Sequence, residues 1–435
     1  MTTHVKKIKP TCDDSINDRS KQTLFNDLAP DITPPYRRFP NGSDCSEQAL
    51  KNRWDYIRET QDREDEGKSS EGKSNKNQTS ERLLCAEDLS VYAANIENCI
   101  GTIKMPVGIA GPVRVNGTYA KGDFLLPMAT TEAALVASYH RGSVIIAKAG
   151  GCSAVLLSEG VTRSPGFAFK SIVALADFSH WILLNKDVLT KVAKQTSNYV
   201  RLIDLRITSE GNHLYLLCDY TTGDAAGQNM VTIATQAICE YVMANAPVKP
   251  DYWFIDANCS GDKKASTQSF NTVRGKKVSV EVIISEKLVK RFLHTTPKAM
   301  VDCWRMSALG GVMSGTLGVQ AHYANSLAAM FIACGQDAAC VAEAAVGVTR
   351  FELCDDGALY CSATLPNLIV GTVGGGTQLP TQKACLDLMQ LPEKNSARAF
   401  AEICAAAALA GEISITGAIA AGDFTHAHKS LARDR

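Results

Sequence analysis

The chain has 435 residues, of which 45 are basic and 45 are acidic, so its formal net charge is zero. This balance, without a basic block or an RNA-binding signature, argues against a protein that binds nucleic acid. The length allows two to three domains with a sizeable core. The fifteen cysteines form no Cys-x-x-Cys pair and no zinc-like spacing with histidine. We therefore interpret them as reduced thiols of an intracellular protein without a metal site.

Residues 1–82 form a polar N-terminal region. Residues 1–10 lack the apolar core of a signal peptide. We predict a short helix near residues 45–60 and a disordered linker over residues 61–82, because the linker has no apolar side chain to bury. Folded structure is expected to resume near Leu83.

Glu132 is a single carboxylate within the apolar, small-residue run 125–138. Pro127 and the pair Thr130-Thr131 precede a helical apolar pattern, which predicts that Glu132 lies in the first helical turn. A carboxylate taken out of water has a raised pKa and can donate a proton as a general acid. The alternative is a capping glutamate at a water-facing helix terminus.

Residues 165–257 are predicted to form a compact unit with the order β-α-β-β-α-β, which is typical of a split, ferredoxin-like domain. The predicted elements are a strand over 167–176, a helix from Ser179 to about Lys194, hairpin strands over 200–208 and 213–220, a helix from Asp224 to about Ala244, and a strand over 253–256.

The flanking segments 83–164 and 258–422 are rich in Ala and Gly and have long helical patterns. They predict one larger helical domain that the small unit interrupts, followed by a C-terminal flap over 423–435. The fold class is thus α+β. Acidic residues interrupt both long apolar stretches, so we predict buried helices and no membrane span. The two stretches are 323–349 and 399–422.

Two glycine-containing segments are candidates for binding phosphate. Gly371-Thr-Val-Gly-Gly-Gly-Thr377 follows a strand-like run, and its glycines let backbone N–H groups approach a ligand closely. Gly223-Asp-Ala-Ala-Gly-Gln-Asn229 lies at a predicted strand-to-helix junction, where unpaired N–H groups attract an anion. The alternatives are a flexible loop for the first and a simple helix cap at Asp224 for the second.

Three further segments contain groups suited to acid–base chemistry. Lys263, in the loop Asn258–Lys264, would stabilise an oxyanion in a dry site, although a solvated basic loop is the alternative. Cys334-Gly-Gln-Asp337 places an acid in the middle of a small, apolar helical stretch, where a buried acid must be paired or protonated; a structural ion pair is the alternative. One histidine of His426-Ala-His428 could titrate near neutrality, or the pair could simply be exposed.

Together these motifs resemble one family, the 3-hydroxy-3-methylglutaryl-coenzyme A (HMG-CoA) reductases of the eukaryotic type. The resemblance covers about residues 83–428 and rests on the order of the motifs. These are Glu97-Asn-Cys-Ile-Gly101, Pro106–Pro112, Met128–Glu132, Asp262-Lys-Lys264, Gly335-Gln-Asp337, Gly371–Thr377 and Leu409-Ala-Gly-Glu412.

The resemblance implies an enzyme of the mevalonate pathway to isoprenoids and sterols, which reduces HMG-CoA to mevalonate by two hydride transfers. NADPH is the implied cofactor, NADH is not excluded, and no metal is implied. Lys263 would hold the carbonyl oxygen, Glu132 would supply a proton, and Asp337 would lie between them in one coupled set. His428 would protonate the departing thiolate of coenzyme A, for which a mild acid suffices.

The resemblance also implies binding residues, partners and location. The implied cofactor-binding residues are Ser197, Asp224, Gly227, Gln228, Asn229, Gly374, Gly375, Gly376 and Thr377. The implied substrate-binding residues are Glu97, Arg163, Asp262, Lys264, His322 and Asn325. Because the family's sites form between subunits, we expect a homodimer or homotetramer that is soluble and cytoplasmic.

Several positions depart from the family's pattern. Asp256 replaces a serine and could repel the acyl carboxylate, and Cys340-Val341 replaces Gln-Asn. Asn198 replaces the arginine that usually reads the 2′-phosphate of NADPH. Met306, beside Arg305, replaces a lysine of the coenzyme A site. These departures leave two alternatives open: a non-catalytic paralogue that binds acyl-CoA or inhibitors, and a reductase with altered substrate or cofactor preference.

Overall fold

The computed structural model describes residues 39–40, 44–65, 89–272 and 274–423. The chain forms two compact units, Met1–Thr102 and Ile103–Arg435. The predicted linker beyond residue 65 lies outside the described residues. Of the predicted C-terminal flap, only residue 423 is described. Residues 424–435, which include both histidines of the flap, lie outside the described residues.

The first unit contains two described helices, α1 (Glu47–Asp65) and the 3-10 helix η1 (Leu89–Tyr92). The helix predicted near residues 45–60 is therefore present, and it continues five positions further. Arg53 is buried and donates to the carbonyl of Cys99 at 2.9 Å, while the indole of Trp54 donates to the carbonyl of Ile100 at 3.0 Å. Helix α1 thus holds the backbone of the segment that follows Glu97.

Within its described residues, the second unit is built on an eleven-stranded sheet. The strands are β1 (Val107–Gly117), β2 (Lys121–Ala129), β3 (Cys152–Arg163), β4 (Gly166–Ala168), β5 (Arg201–Glu210), β6 (His213–Thr221), β7 (Tyr252–Phe254), β8 (Gly275–Ile284), β9 (Gly318–Val319), β10 (Gly347–Leu353) and β11 (Leu359–Leu368). The main path runs β7-β4-β6-β3-β8-β11-β10-β9, with β1 beside β3 and β5 beside β6. The pairs β1–β3 and β9–β10 are parallel, and the others are antiparallel.

The helices of the second unit follow in chain order. They are α2 (Leu135–Lys148), α3 (Ile172–Leu184), α4 (Lys186–Gln195), α5 (Gln228–Asn245), α6 (Gln268–Asn271), α7 (Glu286–Leu293), α8 (Pro297–Ser314), α9 (Tyr323–Ala333), η2 (Ala338–Cys340), α10 (Val341–Ala344), η3 (Gly375–Gln378), α11 (Pro380–Leu388) and α12 (Ser396–Ala421). The fold is therefore mixed α+β, as predicted.

Helix α12 forms the centre of the core and is buried over most of its length. It packs against α2 and the sheet, and small residues allow the close approach. A Cβ on Gly142 would lie 1.9 Å from the carbonyl oxygen of Ala410, and one on Gly411 would lie 2.3 Å from the ring of Tyr139. By length and composition α12 could cross a membrane, but 83% of its apolar window is buried in the fold, which is typical of a core helix.

The segment 165–257 has the predicted element order, with β4, α3–α4, β5–β6, α5 and β7 in sequence. The start of its first helix was predicted wrongly. Ser171 is the cap, because its hydroxyl accepts the N–H of Ala174 at 3.2 Å. Ser179 lies inside α3 and donates to the carbonyl of Leu175. The apolar start of α3 had been mistaken for a continuation of the strand.

Candidate active site

Two loops of the second unit are paired through their backbones: the α5 loop (Gly223–Asn229) and the glycine loop (Gly371–Thr377). Ala225 and Val373 form a parallel bridge between them. A Cβ on Gly371 would lie 2.3 Å from the backbone nitrogen of Ala226, so this contact requires glycine. The two segments that the sequence singled out as phosphate loops therefore form one structure.

A third segment, the aspartate loop (Gly335–Asp337), joins them at the end of α9. A Cβ on Gly335 would lie 2.2 Å from the carbonyl oxygen of Gly376. The side-chain oxygen of Gln336 accepts the N–H of Gly371 at 2.8 Å. Three motifs that are far apart in sequence thus meet at a single place.

Asp224 does not cap α5, contrary to the simple alternative from sequence. Helix α5 begins at Gln228, after Gly227 in the left-handed conformation with φ 85°. The Asp224 carboxylate accepts the N–H of Ala397 at 2.9 Å instead, in the first turn of α12. It is a cap for a distant helix, which no local pattern could reveal.

The glycine loop keeps part of its backbone open. Gly374 and Gly375 have φ 76° and 55°, and nothing lies within 4 Å of a Cβ built on either. The buried Thr377 hydroxyl donates to the carbonyl of Gly374 at 2.7 Å and fixes the loop. Exposed N–H groups of this kind can bind an anion.

The segment around Ser197 borders the α5 loop. The Ser197 hydroxyl accepts the N–H of Tyr199 at 3.2 Å, and the Tyr199 ring lies 4.0 Å from a Cβ built on Gly223. Asn198 and Asn229 are exposed. The predicted cofactor residues therefore lie on, or beside, the paired loops.

Lys263 and Asp337 form an ion pair, with the ammonium 2.9 Å from the carboxylate Oδ2. The two side chains are 43% and 39% exposed, so the pair faces an open site. The prediction that Asp337 is buried within a helix was therefore wrong, because α9 ends at Ala333 and Asp337 lies in the loop that follows. Burial acts to raise the pKa of Asp337, but hydrogen bonds from Lys263 and from the N–H of Ala339 outweigh it and hold this pKa below its usual value. The hydrogen bond to Asp337 raises the pKa of Lys263. The pair is therefore ionised near neutral pH.

Beneath the pair lies a buried group of charges. The Lys263 backbone N–H donates to Glu343 at 3.3 Å, and Arg274 contacts Glu343 at 2.5 Å and Asp262 at 2.8 Å. Burial raises the pKa of Glu343, although Arg274 opposes the effect. The ammonium of Lys264 donates to the carbonyl of Asp262 at 2.9 Å. This network fixes the loop that carries both lysines.

Arg163 connects the same network to Asp256, the residue that replaces a serine of the family pattern. Its guanidinium lies 2.5 Å from Asp256 and 3.2 Å from Asp262. The Arg163 side chain is only 9% exposed. The charge of Asp256 is therefore compensated, and the arginine assigned to the acyl group already has a carboxylate partner in this chain.

Glu132 lies in a loop before α2 and is exposed, so the prediction of a buried first-turn position was wrong. Ala134, with φ 67°, interrupts the helical pattern, and α2 begins one residue later. The Glu132 N–H donates to the Thr130 hydroxyl at 3.0 Å. The side-chain amide of Asn325 lies 3.4 Å from both Glu132 oxygens.

A single chain does not bring Glu132 to the lysine–aspartate pair. Asn325 lies in the first turn of α9, whereas Asp337 follows its other end. Since a helix rises about 1.5 Å per residue, Asn325 and the last residue of α9, Ala333, are roughly 12 Å apart along the helix axis. Among residues 89–272 and 274–423, no hydrogen bond or ion pair joins Glu132 to Lys263 or Asp337. Within the described residues, the predicted catalytic side chains thus form two groups without a direct contact: Glu132 with Asn325, and Lys263 with Asp337.

His322 is held inside the chain by both ring nitrogens. Nε2 donates to the carbonyl of Gly411 at 3.1 Å, which leaves Nδ1 to accept from the Tyr139 hydroxyl at 2.8 Å. Burial lowers the pKa of His322. Glu412, which is buried, accepts the backbone N–H groups of Ala321 and His322. These contacts fix the start of α9, where Asn325 lies.

Sequence reasoning gave no role to Tyr139 or Glu412. The signal for Glu412 was available, because a carboxylate within an alanine-rich helix must find buried donors. Tyr139 gave no comparable signal. Glu97 is exposed and belongs to the first unit, and its predicted role stays a prediction. Within the part of the chain that the structure describes, no cluster of His, Cys, Asp or Glu could hold a metal.

The sheet, the paired loops and the charged pair define an α+β enzyme with an open, polar site. The hydroxymethylglutaryl-coenzyme A reductase family model matches residues 49–433, and the chain belongs to this family. The resemblance to this family and the α+β fold class inferred from sequence are thus confirmed, whereas the eukaryotic type stays a prediction.

Several relatives carry the same family name. The 3-hydroxy-3-methylglutaryl-coenzyme A reductase of Methanocaldococcus jannaschii is 43% identical over 346 residues, which cover 78% of this chain and 85% of the relative. That of Pyrococcus horikoshii is 40% identical, with 78% and 84% covered. Reductase 1 of Dictyostelium discoideum is 37% identical, with 76% and 61% covered.

The fold is also similar to a solved structure, the class II reductase of Streptococcus pneumoniae bound to NADPH in open conformations. The TM-score is 0.63 with 20% sequence identity, and the match covers 86% of this chain and 97% of that one. At this identity the likeness supports the fold alone.

Proposed function

We propose that this protein reduces HMG-CoA to mevalonate and free coenzyme A, with two NADPH and two protons consumed per thioester. The observation that carries the proposal is the Lys263–Asp337 ion pair at the meeting point of the glycine loop and the α5 loop. A cation in that position can hold a carbonyl oxygen while negative charge develops on it.

The paired loops fit the diphosphate of a nicotinamide dinucleotide. The open backbone at Gly374 and Gly375 can approach a phosphate, and α5 presents its N-terminus beside it. When bound, the nicotinamide supplies hydride. The chain's own groups then hold the thioester oxygen at the Lys263 ammonium, and the Asp337 carboxylate keeps that ammonium charged and oriented.

Two proton donors are proposed from the family resemblance. Glu132 would protonate the oxygen of the aldehyde-level intermediate, and His428 would protonate the departing thiolate. Glu132 is supported by its position beside Asn325, which the resemblance assigns to the acyl group. Arg163, Asp262, Lys264, His322 and Glu97 are proposed to bind the acyl-coenzyme A.

We propose that a second copy of the chain completes each site. Within the described part of one chain, Glu132 makes no hydrogen bond or ion pair with Lys263 or Asp337, and its side-chain contact is with Asn325 at the other end of α9. Helix α8 also presents an apolar face of mostly exposed side chains, including Met313 at 89% exposure. An exposed apolar face of this kind is typical of a protein interface. The other members of this face are Met306, Leu309 and Val312.

The domain roles follow from this assignment. We propose that residues 165–257 form the inserted cofactor domain and residues 423–435 a flap over the site. A soluble protein of isoprenoid synthesis fits the archaeal relatives, whereas a cytoplasmic location, the homotetramer and a role in sterol synthesis stay predictions. The non-catalytic paralogue is not favoured, because the charged pair is assembled and ionised.

The test is an assay of purified protein with HMG-CoA and each nicotinamide in turn. We expect two nicotinamides oxidised per coenzyme A released. Because Asn198 is neutral, we expect a preference for NADPH over NADH in kcat/KM of about tenfold or less, since one ionic contact with a phosphate is lost. Absence of turnover with both nicotinamides would refute the proposal.

A further inference from the structure

The side chain of Gln228 connects the start of α5 to the charged pair. Its amide nitrogen lies 3.0 Å from the Cys340 sulfur and 3.4 Å from Oδ2 of Asp337. The same oxygen receives the Lys263 ammonium, and the second Asp337 oxygen accepts the N–H of Ala339 at 3.0 Å. Donors from three separate segments therefore hold this one carboxylate.

The backbone at Gln228 is fixed, so its side chain leaves from a defined point. Gly227 before it has φ 85°, and a Cβ there would lie 2.3 Å from the Thr222 side chain. The Thr232 hydroxyl donates to the Gln228 carbonyl at 2.9 Å. The backbone of Gln228 is therefore held in place, and its side chain extends from the start of α5 to the aspartate loop.

The Asp337 carboxylate decides which end of the Gln228 amide faces it, because an ionised carboxylate only accepts hydrogen bonds. The Cys340 thiol is fully buried and accepts a hydrogen bond from the NH₂ group of Gln228. The NH₂ group therefore lies between the carboxylate and the thiol, which keeps the amide close to Asp337. Burial raises the pKa of the Cys340 thiol, so the sulfur is protonated and uncharged beside Asp337.

We propose that Gln228 is a positioning residue that ties the start of α5 to the Lys263–Asp337 pair, and that the Cys340 thiol holds its amide beside Asp337. The inference rests on the proposed function only in taking this pair as the reacting one. Gln228 thereby gains a role beyond the cofactor contact expected from sequence. Cys340, which replaces a glutamine of the family pattern, gains a role in holding the Gln228 amide.

Steady-state kinetics of matched variants test the role in catalysis. Gln228→Met keeps the length of the side chain and removes the donor, so kcat should fall about tenfold, as for one lost hydrogen bond to a charged group. Neither KM should change more than about twofold, since the pair rather than ligand binding is affected. A raised KM for the nicotinamide with kcat intact would overturn the proposal.

Cys340 variants separate this role from direct contact with a nucleotide, which a fully buried thiol cannot make. Cys340→Ala should lower kcat about threefold to tenfold, and Cys340→Ser should restore it, because a hydroxyl also accepts. The double variant with Gln228→Met should be no slower than Gln228→Met alone. Additive losses would contradict the coupling. Cys361→Ala, an equally buried thiol in β11, is the control and should keep full kcat.

Nuclear magnetic resonance tests the contact without turnover. In protein labelled with ¹⁵N-glutamine, Gln228→Met identifies the side-chain amide signals of Gln228. We expect these signals to move in Cys340→Ala and in Asp337→Asn and to return in Cys340→Ser. Signals that do not respond to either change would overturn the proposal. An inactive wild-type protein with responsive signals would refute the proposed function alone.

Discussion

At the scale of single residues, Asp256 is the departure from the family pattern with the clearest consequence for substrate binding. Its carboxylate forms an ion pair with the Arg163 guanidinium at 2.5 Å. An incoming acyl carboxylate must share that cation with a fixed negative charge. The charged network around Arg163 contains two arginines and three carboxylates, those of Asp256, Asp262 and Glu343. With a serine at position 256, two positive and two negative charges would remain in the network, and they would balance.

Asp256→Ser is therefore expected to lower the KM for HMG-CoA about tenfold, while kcat changes little, because the lost repulsion acts on binding. The measurement is the KM of each variant at saturating nicotinamide. Asp251→Ser, which alters an exposed aspartate nearby, should leave this KM unchanged. An unchanged or higher KM in Asp256→Ser would mean that Arg163 does not bind the acyl carboxylate.

The sequence could predict which residues carry the chemistry better than where they lie. Lys263 and Asp337 were expected together, and they form a pair. Glu132 was expected to be buried in a helix, and it is exposed in a loop. Its apolar neighbours are buried by the sheet and α2, but the left-handed Ala134 turns the chain outward, and no propensity indicates that turn.

Among the elements, α9 positions Asn325 beside Glu132 through contacts with residues that are distant in sequence. His322, at its start, is locked between Tyr139 of α2 and Gly411 of α12. The helices themselves were predictable from their apolar patterns. Their mutual contacts were not, since Tyr139 and Gly411 are distant in sequence. The cap that Asp224 provides for α12 was hidden for the same reason.

The locked imidazole predicts a pH dependence of stability. Burial lowers the folded pKa of His322 below its unfolded value of about 6.5, so the unfolded chain takes up this proton first as pH falls. The contribution to the free energy of unfolding is thus fully present above pH about 6.5 and is lost as pH falls toward the folded pKa.

Urea unfolding between pH 8 and pH 5 measures this effect. The wild type should lose more stability over this interval than His322→Gln, which keeps a donor for the Gly411 carbonyl but does not titrate. His140→Ala, an exposed change in α2, should behave as the wild type does. Equal losses in the wild type and His322→Gln would show that this histidine is not the titrating group.

At the scale of the whole molecule, we propose that two chains share each site. One chain presents Glu132 with Asn325 and, at the other end of α9, Lys263 with Asp337. In a twofold-symmetric dimer each interface contact occurs twice, so two such sites would form. Mixing two inactive variants therefore distinguishes shared sites from self-contained ones.

Glu132→Gln and Lys263→Met should each be inactive alone. After co-refolding or co-expression they should regain up to about a quarter of wild-type activity, since half of the dimers are mixed and each has one intact site. If every chain held a complete site, mixing would restore nothing.

Size measurements on Leu309→Asp, in the apolar face of α8, should show a smaller species than the wild type.

The most direct test of the account is mevalonate formation by Lys263→Met beside Lys287→Met, an exposed lysine of α7. We predict that Lys263→Met keeps its fold but loses at least about a hundredfold in kcat, because the developing oxyanion loses its charged partner. Lys287→Met should match the wild type. A Lys263→Met protein that forms mevalonate at the wild-type rate would contradict the assignment of the Lys263–Asp337 pair as the reacting centre.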